Sequence, residues 1–305
     1  MKLGLQISSF TWPGGDAGIA ETLASVVRTA DEVGFDSIWV MDHFFQIGSV
    51  GKREEPMLEG FTALGYAAAI AKRARLGLMV GGIHYRQAGL WIKAGTTLDV
   101  LTGGRSYFGI GAAWNVEESR GLGFPMPVLS ERFEMLEETL RMVHDAWQGE
   151  RGSEGRFEGR HYRASRLLNS PQALSRPHPP ILIGGGGERK TLRLVAQYAD
   201  ACNIFGGPET LRHKFAILRA HCDRVGRDYD TIEKTNLTSL SISADGRRGS
   251  STPAAFVDRL GGWAEAGSHH TIFSVRDVAD VSKLELIGRD VIPQARDLGD
   301  PSPIP

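Results

Sequence analysis

Residues 2–12 read Lys2-Leu-Gly-Leu-Gln-Ile7 and then Ser8-Ser9-Phe10-Thr11-Trp12. The first six have the apolar content of a buried strand. The turn after them lacks the Gly-x-Gly-x-x-Gly run that a doubly wound dinucleotide fold carries at that place. Working outward, strand-like runs recur at Leu3–Ile7, Ser37–Met41, Leu76–Val80, Ser106–Ile110, Ile181–Ile183, Ala201–Ile204, Thr235–Ile242 and His270–Phe273. Helical periodicity fills the intervals at Ile19–Val33, Phe61–Lys72, Leu90–Leu101, Glu131–Trp147, Lys190–Tyr198, Pro208–Val225, Pro253–Ala266 and Val278–Ala295. Eight alternating βα units in a chain somewhat longer than the usual ~250 residues predict an α/β fold, a (β/α)8 TIM barrel. One domain over residues 1–300 is expected, with a short proline-rich tail at 301–305 that frays.

Two insertions are expected, one after strand 4 at Ala112–Leu129 and one before strand 5 at Gln148–Pro179. Because βα loops build the ligand face of a barrel, the first, with Trp114, Asn115, Phe124 and Pro125, reads as a lid over a flat ring. In the second, residues 156–163 read as a small hairpin turning at Gly159.

The 36 acidic and 35 basic residues nearly cancel to a formal charge of −1, which argues against nucleic acid or an anionic membrane as partner. No apolar run approaches the ~20 residues of a membrane span. The two cysteines, Cys202 and Cys222, have no metal spacing, and no His-Glu-x-x-His occurs; no metal site is expected, and a reducing cytoplasm fits best.

Chemistry concentrates at predicted strand ends. Strand five runs into Gly184-Gly-Gly-Gly187-Glu-Arg-Lys190 and a helix. Four glycines let the backbone approach a ligand, and the free N–H groups of the next helical turn favour an anion, so this reads as a phosphate seat with Arg189 and Lys190 as countercharges. Asp42-His43 closes strand two, where a histidine can move a proton and an adjacent carboxylate can fix its tautomer. Asp42 reads equally well as a structural cap. Glycines at the end of strand three, Gly81 and Gly82, mark a bulge or a ligand crossing. Strand four ends Gly109-Ile-Gly-Ala-Ala-Trp-Asn115, leaving room beside an aromatic wall. His84 and Tyr85 are candidate lining residues, and Glu59 reads as a helix N-terminal charge. No nucleophile with an adjacent base is evident.

Taken together, Asp42-His43, Leu98-Asp-Val-Leu-Thr-Gly-Gly-Arg105, Phe108-Gly-Ile-Gly-Ala-Ala-Trp-Asn115, the Glu131-Arg-Phe-Glu helix start and Ile183-Gly-Gly-Gly-Gly-Glu-Arg-Lys-Thr-Leu-Arg193 resemble the luciferase-like monooxygenase superfamily over nearly the whole chain. The glycine segment is similar to that of the class that uses the deazaflavin coenzyme F420. The resemblance implies an oxidoreductase transferring a hydride between F420 and a small organic substrate at the barrel mouth. It places the cofactor phosphate against Gly184, Gly185, Gly186 and Gly187 beside Arg189. The ring would cross Val80, Gly81 and Gly82 and be bordered by Gly111, Ala112, Trp114 and Asn115. A non-proline cis peptide is expected at the strand-three bulge, and His43, assisted by Asp42, would face the reactive side. A sugar-phosphate dehydrogenase branch carries a carboxylate after the strand-four glycines, where this chain has Ala112-Ala113; an apolar or aromatic substrate contacting Trp12, Phe44, Phe45 and Trp114 is expected instead. Two rivals stay open, an FMN-dependent monooxygenase on the same barrel and a non-catalytic flavin or deazaflavin carrier. A homodimer is the expected assembly.

Overall fold

The computed structural model describes residues 1–299, so the proline-rich tail at 301–305 lies outside the described residues. The chain runs β1 (Lys2–Ile7), α1 (Gly15–Val33), β2 (Ser37–Val40), α2 (Gly60–Ile70), β3 (Arg75–Leu78), β4 (Gly81–Gly82) and α3 (Ala88–Thr102). It continues through β5 (Phe108–Gly111), α4 (Val116–Gly121), α5 (Leu129–Ala146) and the short strands β6 (Phe157–Glu158) and β7 (Arg163–Ala164). The second half is β8 (Ile181–Gly184), α6 (Thr191–Tyr198), β9 (Ala201–Phe205), α7 (Pro208–Val225), β10 (Glu233–Leu240), α8 (Pro253–Glu265), β11 (His270–Val275), α9 (Ser282–Asp290) and α10 (Ile292–Arg296).

One parallel sheet has the order β3-β2-β1-β11-β10-β9-β8-β5-β4. Its two ends are pieces of one strand: β3 pairs with β2, and β4 pairs with β5. A bridge between Leu76 and Ser106 joins the first piece to the chain entering β5 and closes the ring. The expected (β/α)8 barrel is therefore present, with its third strand interrupted at Met79–Val80. That peptide is cis and precedes no proline, as the resemblance implied. β6 and β7 pair antiparallel, which is the expected hairpin.

Alternation along the strands builds two layers. Leu3, Leu5, Ile7, Ile38, Val40, Leu76 and Leu78 pack outward in the main core with helix residues such as Leu23, Leu64 and Trp91. Trp39, Met79, Tyr107, Leu182, Leu237 and Ile272 point inward and form a second, smaller cluster, so the barrel interior is a packed floor and not a pore.

Two elements differ from the sequence expectation. The predicted helix Val278–Ala295 is two helices, α9 and α10, because Pro293 supplies no N–H and its ring opposes the preceding turn. The insertion after β5 contains α4, which apolar periodicity missed because it has only six residues. Its cap carries a readable signal: the Asn115 side chain accepts from the N–H groups of Glu117 and Glu118 at 3.1 and 3.4 Å, an N-cap followed by an acidic first turn. Among the described residues no helix is long and apolar enough to cross a membrane.

Candidate active site

A cavity of about 880 Å³ opens at the C-terminal ends of the strands, the ligand side of a barrel. Its floor is Met79 and Leu237, its walls include Val80 to Gly82 and Gly111 to Trp114, and one end is formed by Gly184, Gly185, Gly187 and Thr191. His43 lines the same cavity.

The bulge at Val80 explains part of the glycine content. Val80 projects from the interrupted strand across β5 and β8. A Cβ at Gly184 would stand 2.7 Å from Val80 Cγ2, and one at Gly111 would stand 3.0 Å from it. Those positions must be bare for the Val80 side chain to sit between them. Polar contacts hold the bulge on both sides: Gln6 Nε2 donates to the Met79 carbonyl at 3.3 Å, and the Gly82 N–H donates to Asp42 Oδ2 at 3.1 Å.

Asp42 is thereby given the structural one of its two expected roles, as an anchor and not as a partner of His43. Both its oxygens also accept from Arg86, each at 2.7 Å. Arg86 pairs with Glu59 as well, and its guanidinium lies over the rings of Phe61 and Trp91 at 5.1 and 4.7 Å. Asp42 is a buried anchor for Arg86 and for the bulge, and its hydrogen bonds go to these and not to the His43 ring.

The carboxylate on His43 is Glu118, from α4. His43 Nδ1 donates to Glu118 Oε1 at 2.6 Å. The Tyr85 hydroxyl donates to the same oxygen, and the N–H groups of Phe44 and Phe45 donate to Oε2 at 2.8 and 3.2 Å. Glu118 is fully buried. Burial opposes its ionisation, but the hydrogen bonds from His43 and Tyr85 outweigh that cost and hold its carboxyl below the usual carboxylate range. An ionised carboxylate only accepts, so Nδ1 carries the hydrogen and Nε2 is left for a ligand. Trp114 meets the His43 ring edge-on at 5.4 Å and is 62% exposed at the rim.

Several expected positions fall outside the cavity lining. Asn115 caps α4 and so sets the height of Glu118. Gly186 faces Ile204 and Lys214. Arg189 is exposed, and Lys190 lies over the Phe133 ring at 5.4 Å. Nor do Trp12, Phe44 and Phe45 line it; Trp12 packs on Phe10, and Phe44 on Tyr85 and Phe124. The aromatic lining comes instead from Tyr85, Trp114, Phe133 and Phe205. Sequence reasoning missed Thr191 and Phe205 in the lining and Glu118 behind His43, since nothing in their local pattern distinguishes them from ordinary helix or strand positions.

His84 lies beneath this lining. Its Nε2 meets Ser119 Oγ at 2.7 Å. Burial and then the Arg132 cation push its imidazole down to about 4, with Glu118 opposing. The unfolded chain therefore binds a proton that the folded chain refuses between pH 6.5 and about 4. This stability is fully present above pH 6.5 and is lost as pH falls toward 4, about 2 kcal/mol being gone at pH 5. Denaturant unfolding of the wild type and His84→Gln at pH 7 and pH 5 checks this: the variant is expected to lose less stability on acidification, and equal losses refute it.

The luciferase-like monooxygenase family pattern matches residues 1–269. An F420-dependent glucose-6-phosphate dehydrogenase of Nakamurella multipartita (strain ATCC 700099) is 30% identical over 74% of this chain; the chain spans 65% of that relative's length. A protein of the same name from Kineococcus radiotolerans is 27% identical, with 95% of this chain and 82% of that one covered. Among solved structures, a riboflavin lyase with modified FMN and riboflavin superposes with a TM-score of 0.82 at 14% identity, covering 98% of this chain and 92% of that one. With its barrel and a pattern match over most of its length, this chain belongs to the luciferase-like monooxygenase family.

Proposed function

We propose that the chain is an F420-dependent oxidoreductase acting on an uncharged apolar or aromatic substrate at the barrel mouth. The observation that carries this reading is that one cavity joins the glycine loop at Gly184 to Gly187 with the Glu118-held His43. The cavity fits the group: it has the volume and the largely apolar lining of a cofactor site, with backbone N–H groups at one end for a phosphate. The two relatives named F420-dependent support a deazaflavin over other phosphorylated rings.

When bound, a deazaflavin supplies the carbon that gives or takes the hydride. The protein's own residues do the rest. Gly184, Gly185, Gly187 and Thr191 would hold the phosphate end, and Val80, Gly81, Gly82, Gly111, Ala112 and Trp114 would hold the ring. His43, oriented by Glu118 through Nδ1, holds or delivers a proton at Nε2 to the substrate atom that changes its charge. Among the described residues no Lys, Arg, Asp or Glu side chain lines the cavity. In the part of the cavity left for substrate, away from the glycine loop, a sugar phosphate would be desolvated with no lining cation to receive it, whereas a neutral carbonyl, enone or alcohol loses little. Phe133, Leu129 and Phe205 extend the apolar surface outward.

The family also supports a second reading, an FMN-dependent monooxygenase, since the same barrel accommodates modified FMN in the riboflavin lyase. Parallel fluorescence titrations with F420 and FMN decide between them. Tighter binding of F420, with turnover of neutral substrates and without oxygen consumption, is expected. Preference for FMN with oxygen uptake overturns the F420 reading, and rapid turnover of glucose 6-phosphate overturns the substrate class.

A further inference from the structure

We propose that Lys214 on α7 is the countercharge for a phosphate at the glycine loop, and that Glu188 holds it in readiness. The inference rests on the reading of Gly184 to Gly187 as a phosphate seat. That loop offers backbone N–H groups but no side chain, and the partial charge at the start of α6 falls short of the full negative charge of a phosphodiester. A cation is therefore needed nearby.

The two cations that follow the glycines in sequence are turned elsewhere. Arg189 is exposed and does not line the cavity, and the Lys190 ammonium lies over Phe133 on α5. Lys214 does not line the cavity either, but it comes from a different helix, is largely buried and lies against the loop from outside. Its Cε and Cδ stand 3.7 and 4.0 Å from where a Cβ would be at Gly186. Its side chain is only 21% exposed, and its Nζ donates to Glu188 Oε1 at 2.6 Å.

Glu188 is the residue immediately after the glycines, and its hold on α7 does not depend on Lys214 alone. His213 Nε2 also meets Oε1 at 3.1 Å, and His221 Nε2 meets the Glu188 carbonyl at 2.8 Å. Lys214 can therefore leave Glu188 by rotation about its terminal torsions while the loop stays fastened. A lysine suits this exchange because it is a point charge on a flexible stem with no fixed donor geometry.

The test is a fluorescence titration of the full chain with F420, with the ribityl deazaflavin monophosphate that lacks the acidic tail, and with the phosphate-free ribityl deazaflavin, a Lys214 effect being required on both phosphorylated compounds. Lys214→Met is expected to weaken F420 binding about ten-fold, the size of one charge-assisted hydrogen bond at a partly exposed site, and to leave the phosphate-free compound unchanged. Lys214→Arg should retain most of the affinity. Glu188→Gln should bind F420 at least as tightly as the wild type, because it removes the competing partner. Unchanged F420 affinity in Lys214→Met overturns the proposal, and so does equal weakening of F420 and the phosphate-free compound, which would mark a scaffold role. Weakening by Glu188→Gln equal to that of Lys214→Met also overturns it, since the ion pair would then be only a loop fastener. In those cases the phosphate seat itself stands. If the wild type binds F420 no better than the phosphate-free compound, the seat falls and Lys214 with it.

Discussion

His43→Ala is expected to reduce turnover by about 10² to 10⁴-fold, the usual contribution of a positioned acid or base, while cofactor affinity stays unchanged. The split follows from where the imidazole sits. It lines the cavity at the end of β2, across the barrel mouth from the glycine loop that is assigned the phosphate. Deleting it removes no contact from the phosphate end and leaves the Val80 bulge intact, because the bulge is held by Gln6 and Asp42. A group that acts only as charge develops lowers kcat and kcat/KM together, whereas a binding contact would raise KM at constant kcat. The measurement is single-turnover kinetics beside a fluorescence titration on the same preparation. Equal turnover in the variant dismisses the catalytic assignment, and loss of cofactor binding without loss of turnover at saturation makes His43 a binding residue.

Much of this site was legible in sequence because barrels put function at strand ends, and strand ends can be found by apolar runs. His43, Gly81, Gly82, Gly111, Gly184, Gly185 and Gly187 are read that way, while Gly186 falls outside the cavity lining. What the sequence concealed are the relations between side chains that are distant in the chain. Asp42 is adjacent to His43 in sequence, but consecutive residues leaving a strand diverge. Asp42 turns to Arg86, and the histidine finds Glu118, 75 residues on. On the proposal above the countercharge would follow the same pattern, with Lys214 on α7 in place of Arg189 and Lys190 beside the glycines. In each case adjacency in sequence stood in for adjacency in space, and helix geometry decided otherwise. The long element at 278–295 failed for a local reason, since one proline outweighs an otherwise continuous apolar pattern.

Glu118→Gln is expected to lower turnover by a comparable ~10² to 10⁴-fold with the cofactor still bound, although Glu118 lines no part of the cavity. The carboxylate receives four donors: the His43 ring, the Tyr85 hydroxyl and two backbone N–H groups. The backbone donors cannot change, so they keep the amide oxygen of glutamine on their side. That directs the amide NH2 toward His43 and Tyr85. Tyr85 can accept by rotating its hydroxyl, but His43 can accept at Nδ1 only by moving its hydrogen to Nε2. The variant therefore presents the opposite tautomer to the cavity, with a similar ring position and the wrong proton inventory. Nitrogen NMR of His43 should show the hydrogen on Nδ1 in the wild type and on Nε2 in Glu118→Gln. Asp42→Asn is the control, because it weakens the Arg86 anchor and the fold without touching the His43 ring. If Glu118→Gln turns over normally, or if Asp42→Asn shifts the His43 tautomer as much, Glu118 is not the residue that positions the histidine.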